Sequence, residues 1–272
     1  HLVNQVVLYI HGGAMISGSI QSHQKIAQRM CKYTRSRVLL IDYCLAPEHR
    51  YPKQIQDVLD AYNFLLDEKI ASSSKRIVFA GDSAGGNLST VSALALITNK
   101  PKLFSKTNQL PAALLLISPW QFLGFPKERR GREQIRLAED TMQKHAETDY
   151  LPTKDMHRTV QLYTSEKHLH EGTVSPVFAS DTALQQLPPT LILAGGAEQL
   201  FGDIVWFKKK MDRAGHKKVV LKVYKGQPHV WMAFGGLFSR EASRQAFIDC
   251  HQFLETQQKQ QEERLFSQQS KL

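Results

Sequence analysis

Short apolar runs recur along the chain between amphipathic stretches. Val6–Ile10, Arg37–Tyr43, Arg76–Ala80, Ala112–Ile117, Thr190–Ala194 and Lys218–Tyr224 are rich in β-branched and other apolar residues, which predicts six strands. The first five read as buried. Lys218–Tyr224 alternates and is expected nearer an edge. Between the runs the spacing turns helical. Ile26, Ala27, Met30 and Cys31 mark a helix over 22–33, and a second starts behind Pro52, with Ile55, Val58, Leu59, Tyr62, Phe64, Leu65 and Leu66 as its apolar face. Asn87–Leu94 suits a packed helix. A closing helix from about 240 to 256 turns Ala242, Ala246, Phe247, Cys250, Phe253 and Leu254 inward and runs out into a polar tail, 257–272, that opens on the glutamine-rich stretch Gln257–Gln261. Strands alternating with helices predict an α/β fold, a mostly parallel central sheet covered on both faces.

From about 121 to 175 the pattern becomes charged and irregular, with Lys127, Arg129, Arg130, Arg132 and Arg136 close together. Helical stretches are expected around 137–142 and 156–163. An insertion at the carboxyl ends of parallel strands lies over the crevice where such sheets bind ligands, so this segment is expected to form part of a cap before the last two strands.

Composition narrows the classes. The 272 residues show no linker-like shift and predict one domain. The net charge of +10 leaves peripheral contact with an anionic membrane surface open. The basic residues are dispersed, however, without the interleaved aromatics that single-stranded nucleic acid requires, so nucleic acid is not an expected partner. Cys31, Cys44 and Cys250 are odd in number and lack metal-ligand spacing, which favours a reducing, cytoplasmic compartment over a disulfide framework or zinc site. No apolar run approaches the roughly 20 residues of a membrane span. The chain opens on His1, almost inside a strand, so a preceding targeting or anchor segment stays open.

Chemistry gathers at strand ends. Gly81-Asp82-Ser83-Ala84-Gly85 sets a serine between two glycines where a strand meets a helix. In so tight a turn the serine backbone is strained, and only neighbours without side chains avoid collision. The following helix aims its free N–H groups at an oxyanion formed there. His11-Gly12-Gly13-Ala14 ends the first strand in a turn whose amides can converge on one point, with His11 expected to fix the loop by hydrogen bonds. Neutral serine needs an imidazole to take its proton and a carboxylate to hold that imidazole. His229 follows the last strand, and Glu198 and Asp203 both follow the strand before it, so either can be the acid. Asp82 and Asp57 read as structural, with the Asp82 side chain directed away from Ser83. This chemistry needs no cofactor or metal.

The sequence resembles the hormone-sensitive lipase-like family of α/β-hydrolase esterases over nearly its whole length. The resemblance rests on His11-Gly12-Gly13-Ala14, on Asp42-Tyr43-Cys44-Leu45-Ala46-Pro47-Glu48 and on Gly81-Asp82-Ser83-Ala84-Gly85-Gly86. It implies the α/β-hydrolase fold, a small-molecule ester substrate and hydrolysis through an acyl-enzyme. Short or medium acyl esters or lipid-like esters are the expected substrates, since no long apolar lid helix suits an oil interface. Ser83 is implied as nucleophile, His229 as base, and Gly12, Gly13 and Ala84 as oxyanion donors. It favours Glu198, two residues before Leu200, over Asp203. It also implies that Ser118-Pro119-Trp120 opens the cap, which returns at Ser175-Pro176. Ala14 stands where the family has a third glycine and Cys44 where it often has arginine. The family's opening strands and N-terminal cap helices precede the point at which this chain starts. A non-catalytic small-molecule receptor on the same fold, or an amide or peptide hydrolase, is the competing reading.

Overall fold

A computed structural model describes residues 5–98, 108–124, 133–234 and 239–269. The basic residues Lys127, Arg129, Arg130 and Arg132 lie outside them. Six strands, β1 (Val6–Ile10), β2 (Arg37–Ile41), β3 (Ile77–Asp82), β4 (Ala113–Ile117), β5 (Thr190–Gly195) and β6 (Val219–Tyr224), form one sheet in the order β2-β1-β3-β4-β5-β6. Every neighbouring pair is parallel. Parallel strands need a crossover between them. The helices α1 (Ile20–Thr34), α2 (Lys53–Asp67), α3 (Ala84–Ile97) and α7 (Phe201–Arg213) lie in these crossovers. The long connection from β4 to β5 carries α4 (Glu133–Lys144), α5 (Thr153–Tyr163) and the short α6 (Asp181–Gln185), and α8 (Arg240–Gln269) closes the chain. This is the α/β-hydrolase arrangement, with a partial cap inserted before the last two strands.

Side chains alternate across the sheet, so each strand feeds two cores. Leu8, Ile10, Phe79, Leu114 and Leu116 pack beneath Leu59 and Tyr62 of α2, Leu88 and Val91 of α3, and Ile204 and Phe207 of α7. Val7, Tyr9, Val78, Leu115 and Leu193 pack on the other face against Ile26 and Met30 of α1 and Phe247 and Leu254 of α8. Helix α3 is buried on nearly every side and is the central support beneath the site. It begins at Ala84, directly behind Ser83, as the strand–turn–helix reading of the serine motif expects. Phe122 and Phe178, from the two ends of the β4–β5 connection, both meet Trp206 of α7 edge-on, with ring centroids 5.1 and 5.7 Å away.

Three expectations need correction. The closing helix does not end near Thr256, because α8 runs unbroken to Gln269. Gln, Glu, Lys and Arg are all good helix formers, and no Gly or Pro interrupts them. Gln257, Gln258, Gln260 and Gln261 also border a cleft with Gln5, Lys75 and Lys218 at the amino ends of the strands. Strand β2 is only partly buried, since it ends the described sheet and pairs on one side alone. Phe64 is 49% exposed. It lies two residues from the buried Tyr62, about 200° round the helix, and cannot share that face. β6, expected near an edge, occupies the other end of the sheet.

The position of Phe64 sets up a paired test. Leu65→Ala, which empties a fully buried position, is expected to cost about 2–5 kcal/mol, whereas Phe64→Ala should cost under about 1 kcal/mol. Urea denaturation of both variants measures the difference, and equal losses would contradict the helix orientation.

Candidate active site

The strand order places a switch point between β1 and β3. After β1 the chain moves outward to β2, then returns to the other side of β1 for β3 and continues outward to β6. Connections leaving β1 and β3 therefore diverge and open a crevice at their carboxyl ends. The His11–Ala14 turn lies on one side of it and Ser83 on the other.

Ser83 has φ 53° and ψ −117°, a sparsely populated conformation for a residue with a side chain. Hydrogen bonds hold it there. Its N–H donates to the Ile117 carbonyl at 2.9 Å, and its own carbonyl accepts the Trp120 N–H at 3.0 Å, so the end of β4 clamps it from both sides. Gly81 and Gly85 allow the tight packing, since a Cβ on either would drive into neighbouring main chain.

The His11–Ala14 turn is fixed from behind. Tyr43 stacks on the His11 ring at 4.2 Å and donates its hydroxyl to the His11 carbonyl at 2.9 Å. His11 Nδ1 donates to the Gly12 carbonyl at 2.7 Å. The Gly13 carbonyl accepts the N–H groups of Ile16 and Ser17 at 3.0 and 2.9 Å. In a planar trans peptide the N–H points opposite to the carbonyl. The Gly13 and Ala14 amides are therefore turned away from those partners. Gly13 and Ala14 line the cavity beside Ser83, and Gly12 does not. Gly12 is instead packed against the Asp82 carboxylate, with no room for a side chain.

Asp82 is itself buried, accepting from the Tyr9 hydroxyl at 2.8 Å, and its second oxygen lies 3.3 Å from His23 Nε2. It borders the cavity, but these bonds direct its carboxylate to the turn's support. Burial lowers the affinity of His23 for a proton, yet its bond to Asp82 and the charge there lift it above its ordinary value. Burial in turn raises Asp82, and His23 and Tyr9 outweigh that and hold it below the usual carboxylate range. Asp57 caps the Cys44 N–H at 2.8 Å.

Glu198 and His229 meet across the β5 and β6 loops. Glu198 Oε2 lies 2.9 Å from His229 Nδ1, with side chains 0% and 2% exposed. The other oxygen, Oε1, accepts the Gly195 N–H at 2.8 Å. Burial pushes Glu198 up, opposed by His229, Ser118 and the Gly195 amide. Gly195 admits this arrangement, because a side chain there would strike the Gln227 and Pro228 carbonyls of the loop leading to His229.

Asp203 is elsewhere. In the first turn of α7, its Oδ2 accepts the N–H groups of Gln121 and Phe122 at 2.7 and 3.1 Å, and it ties the start of the cap to that helix. Burial is the main cause of its rise to about 8.

Ser83 and His229 line one cavity of about 400 Å³ together with Gly13, Ala14, His23, Trp120, Tyr150, Leu151, Met156 and Leu200. Most of its wall is apolar, and Leu151 and Met156 come from the cap. Three contributors had no signal in the sequence. His23 sits on the polar side of α1. Ser118, whose hydroxyl accepts the Val230 N–H at 3.0 Å, marked only the start of the cap. Asp149 lies among unremarkable polar residues yet accepts the His229 main-chain N–H at 3.0 Å.

A parallel sheet with a strained serine, a buried imidazole–carboxylate pair and an apolar cavity at its carboxyl edge defines an α/β hydrolase. The family model described as alpha/beta hydrolase fold matches residues 7–233, and the chain belongs to that family. It is 32% identical over 250 residues to an esterase of Acinetobacter venetianus, covering 92% of this chain and 74% of that one. It is 31% identical over 229 residues to the carboxylesterase/phospholipase LipF of Mycobacterium tuberculosis, covering 84% of this chain and 56% of LipF. The crystal structure of an esterase from the bacterial hormone-sensitive lipase family superposes with a TM-score of 0.77 at 31% identity, over 93% of this chain and 77% of that one. The chain is thus a serine esterase-like hydrolase of the hormone-sensitive lipase-like group.

The raised Asp203 gives a signed pH test. A carboxyl whose folded value lies above its ordinary one contributes stability at low pH, and that contribution is lost as pH rises through about 8. Asp203→Asn keeps an acceptor for the two amides and cannot ionise. Between pH 5 and 9 the melting temperature of the native protein should fall more than that of Asp203→Asn. A steeper fall in the variant would refute the assignment.

Proposed function

We propose that the protein hydrolyses carboxylic esters of short or medium acyl chain through an acyl-enzyme. The observation that carries this reading is the buried 2.9 Å contact between His229 Nδ1 and Glu198, in a wall of the cavity that also contains Ser83. Glu198, ionised, holds the Nδ1 proton and leaves Nε2 free to accept one. Ser83 Oγ attacks the ester carbonyl as its proton passes to His229. The negative charge that develops on the carbonyl oxygen is met by amides preset for it. On the peptide geometry of the turn, these are Gly13 and Ala14, joined by Ala84 at the head of α3, and Gly12 is set aside from its implied role. Collapse of the tetrahedral intermediate breaks the ester C–O bond, and His229 returns the proton to the leaving alcohol. Water repeats the sequence at the acyl carbon, releasing the acid and restoring Ser83.

The cavity supports the acyl-length range. Its volume of about 400 Å³ and its lining by Trp120, Leu151, Met156 and Leu200 suit a compact apolar acyl group.

Ser83→Ala should abolish labelling by a fluorophosphonate probe and reduce hydrolysis of chromogenic acetate and butyrate esters to background. Glu198→Gln, which disturbs the imidazole tautomer, should lower kcat by about 10³- to 10⁴-fold, whereas Asp203→Asn should leave kcat within about tenfold. Equal turnover by Ser83→Ala and the native protein would end the reading. A native protein that resists the probe would favour a receptor on the same fold.

A further inference from the structure

Asp149 precedes the residues by which the cap enters the cavity wall. The residue is 7% exposed, and both of its carboxylate oxygens are engaged. Oδ1 accepts the N–H groups of His229 and Tyr150, each at 3.0 Å. Oδ2 accepts the N–H of Gln199 at 2.8 Å. Gln199 directly follows Glu198, and its side-chain amide donates back to the Leu151 carbonyl at 2.8 Å and the Asp149 carbonyl at 3.4 Å. A single carboxylate from the cap therefore joins the loop that bears the imidazole to the loop that bears its acid.

We propose that Asp149 is a positioning residue for ester hydrolysis, setting the placement of His229 relative to Glu198 and Ser83. The inference rests on the roles proposed above for those three residues. Loops at strand ends are the softest parts of an α/β sheet. The His229 and Gln199 amides lie outside the strand ladder, so the sheet does not fix them. Hydrogen bonds to an ionised acceptor are roughly twice as strong as neutral ones, and here two of them converge from different loops on one buried group. A catalytic group misplaced by about 1 Å costs on the order of 100-fold in rate. Asp149 touches main-chain amides rather than reacting atoms, so its effect passes through the position of the imidazole. Tyr150 extends the same link, with its ring 6.0 Å from the His229 ring and edge-on to Phe234 at 5.3 Å. The cap is thereby coupled to the chemistry as well as to the shape of the cavity.

The test is Asp149→Asn in the full chain. The amide is isosteric but keeps one acceptor oxygen, so the His229 or the Gln199 amide loses its partner. On a chromogenic butyrate ester, kcat should fall by about 10- to 100-fold with KM changed by less than about threefold. Fluorophosphonate labelling of Ser83 should slow by the same factor, since both reactions need the correctly placed base. Wild-type kcat and labelling rate in the variant would overturn the inference while leaving the Ser83 assignment intact, and so would a loss fully accounted for by a smaller folded fraction. Native protein that resists labelling would remove both. Hydrogen exchange on the native protein keeps the proposal testable if the variant does not fold. The His229 and Gln199 amides should then be protected, and exchange at the rate of exposed loop amides refutes it.

Discussion

A carboxylate stripped of water costs several kcal/mol unless donors surround it, and Glu198 has no exposure at all. Much of the site can be understood as the supply of those donors. His229 provides one from the β6 loop and Gly195 another from its own turn, while Ser118 contributes from the end of β4. Each comes from a different connection at the carboxyl edge of the sheet. Burial of this carboxylate therefore requires those loops to meet, and their meeting places the His229 imidazole in the wall of the crevice.

The strain at Ser83 follows the same logic. A non-glycine residue at positive φ is tolerated only where its surroundings over-determine it, and Ser83 is held by bonds to Ile117 and Trp120 above a helix buried on nearly all sides. Ser118 and Val230 also adopt positive φ, and they are joined by the Val230 N–H to Ser118 hydroxyl bond. Local backbone cost is concentrated where three loops converge, and rigid β4 and α3 bear it.

The cap is integrated with this centre. Asp203 ties its first residues to α7, the Phe122, Phe178 and Trp206 rings close its base, and Asp149 joins it to the loops that carry Glu198 and His229. The cap thus carries support as well as part of the apolar wall of the cavity.

Several features were legible in the residues alone. The apolar runs that became β1, β3, β4 and β5 are buried on both faces, so hydrophobicity marks them without reference to partners. The elbow and the His11 turn are local, because their strain and close approach depend on glycines at fixed offsets. The ordering of serine, acid and histidine behind successive strands followed from parallel topology. Other features were decided by tertiary structure. Glu198 and Asp203 are both acidic, five positions apart, and only packing turns one to His229 and the other to the Gln121 and Phe122 amides. That Gly13 and Ala14 line the cavity, rather than Gly12, depends on how His11, Ile16 and Ser17 set the peptide planes of the folded turn. The closing helix outran its apolar face because propensity sustains it where periodicity fades. His23 and Asp149 act through residues 59 and 80 positions away. A hydrogen bond across that separation has no sequence period, since it depends on where the folded sheet brings its loops together.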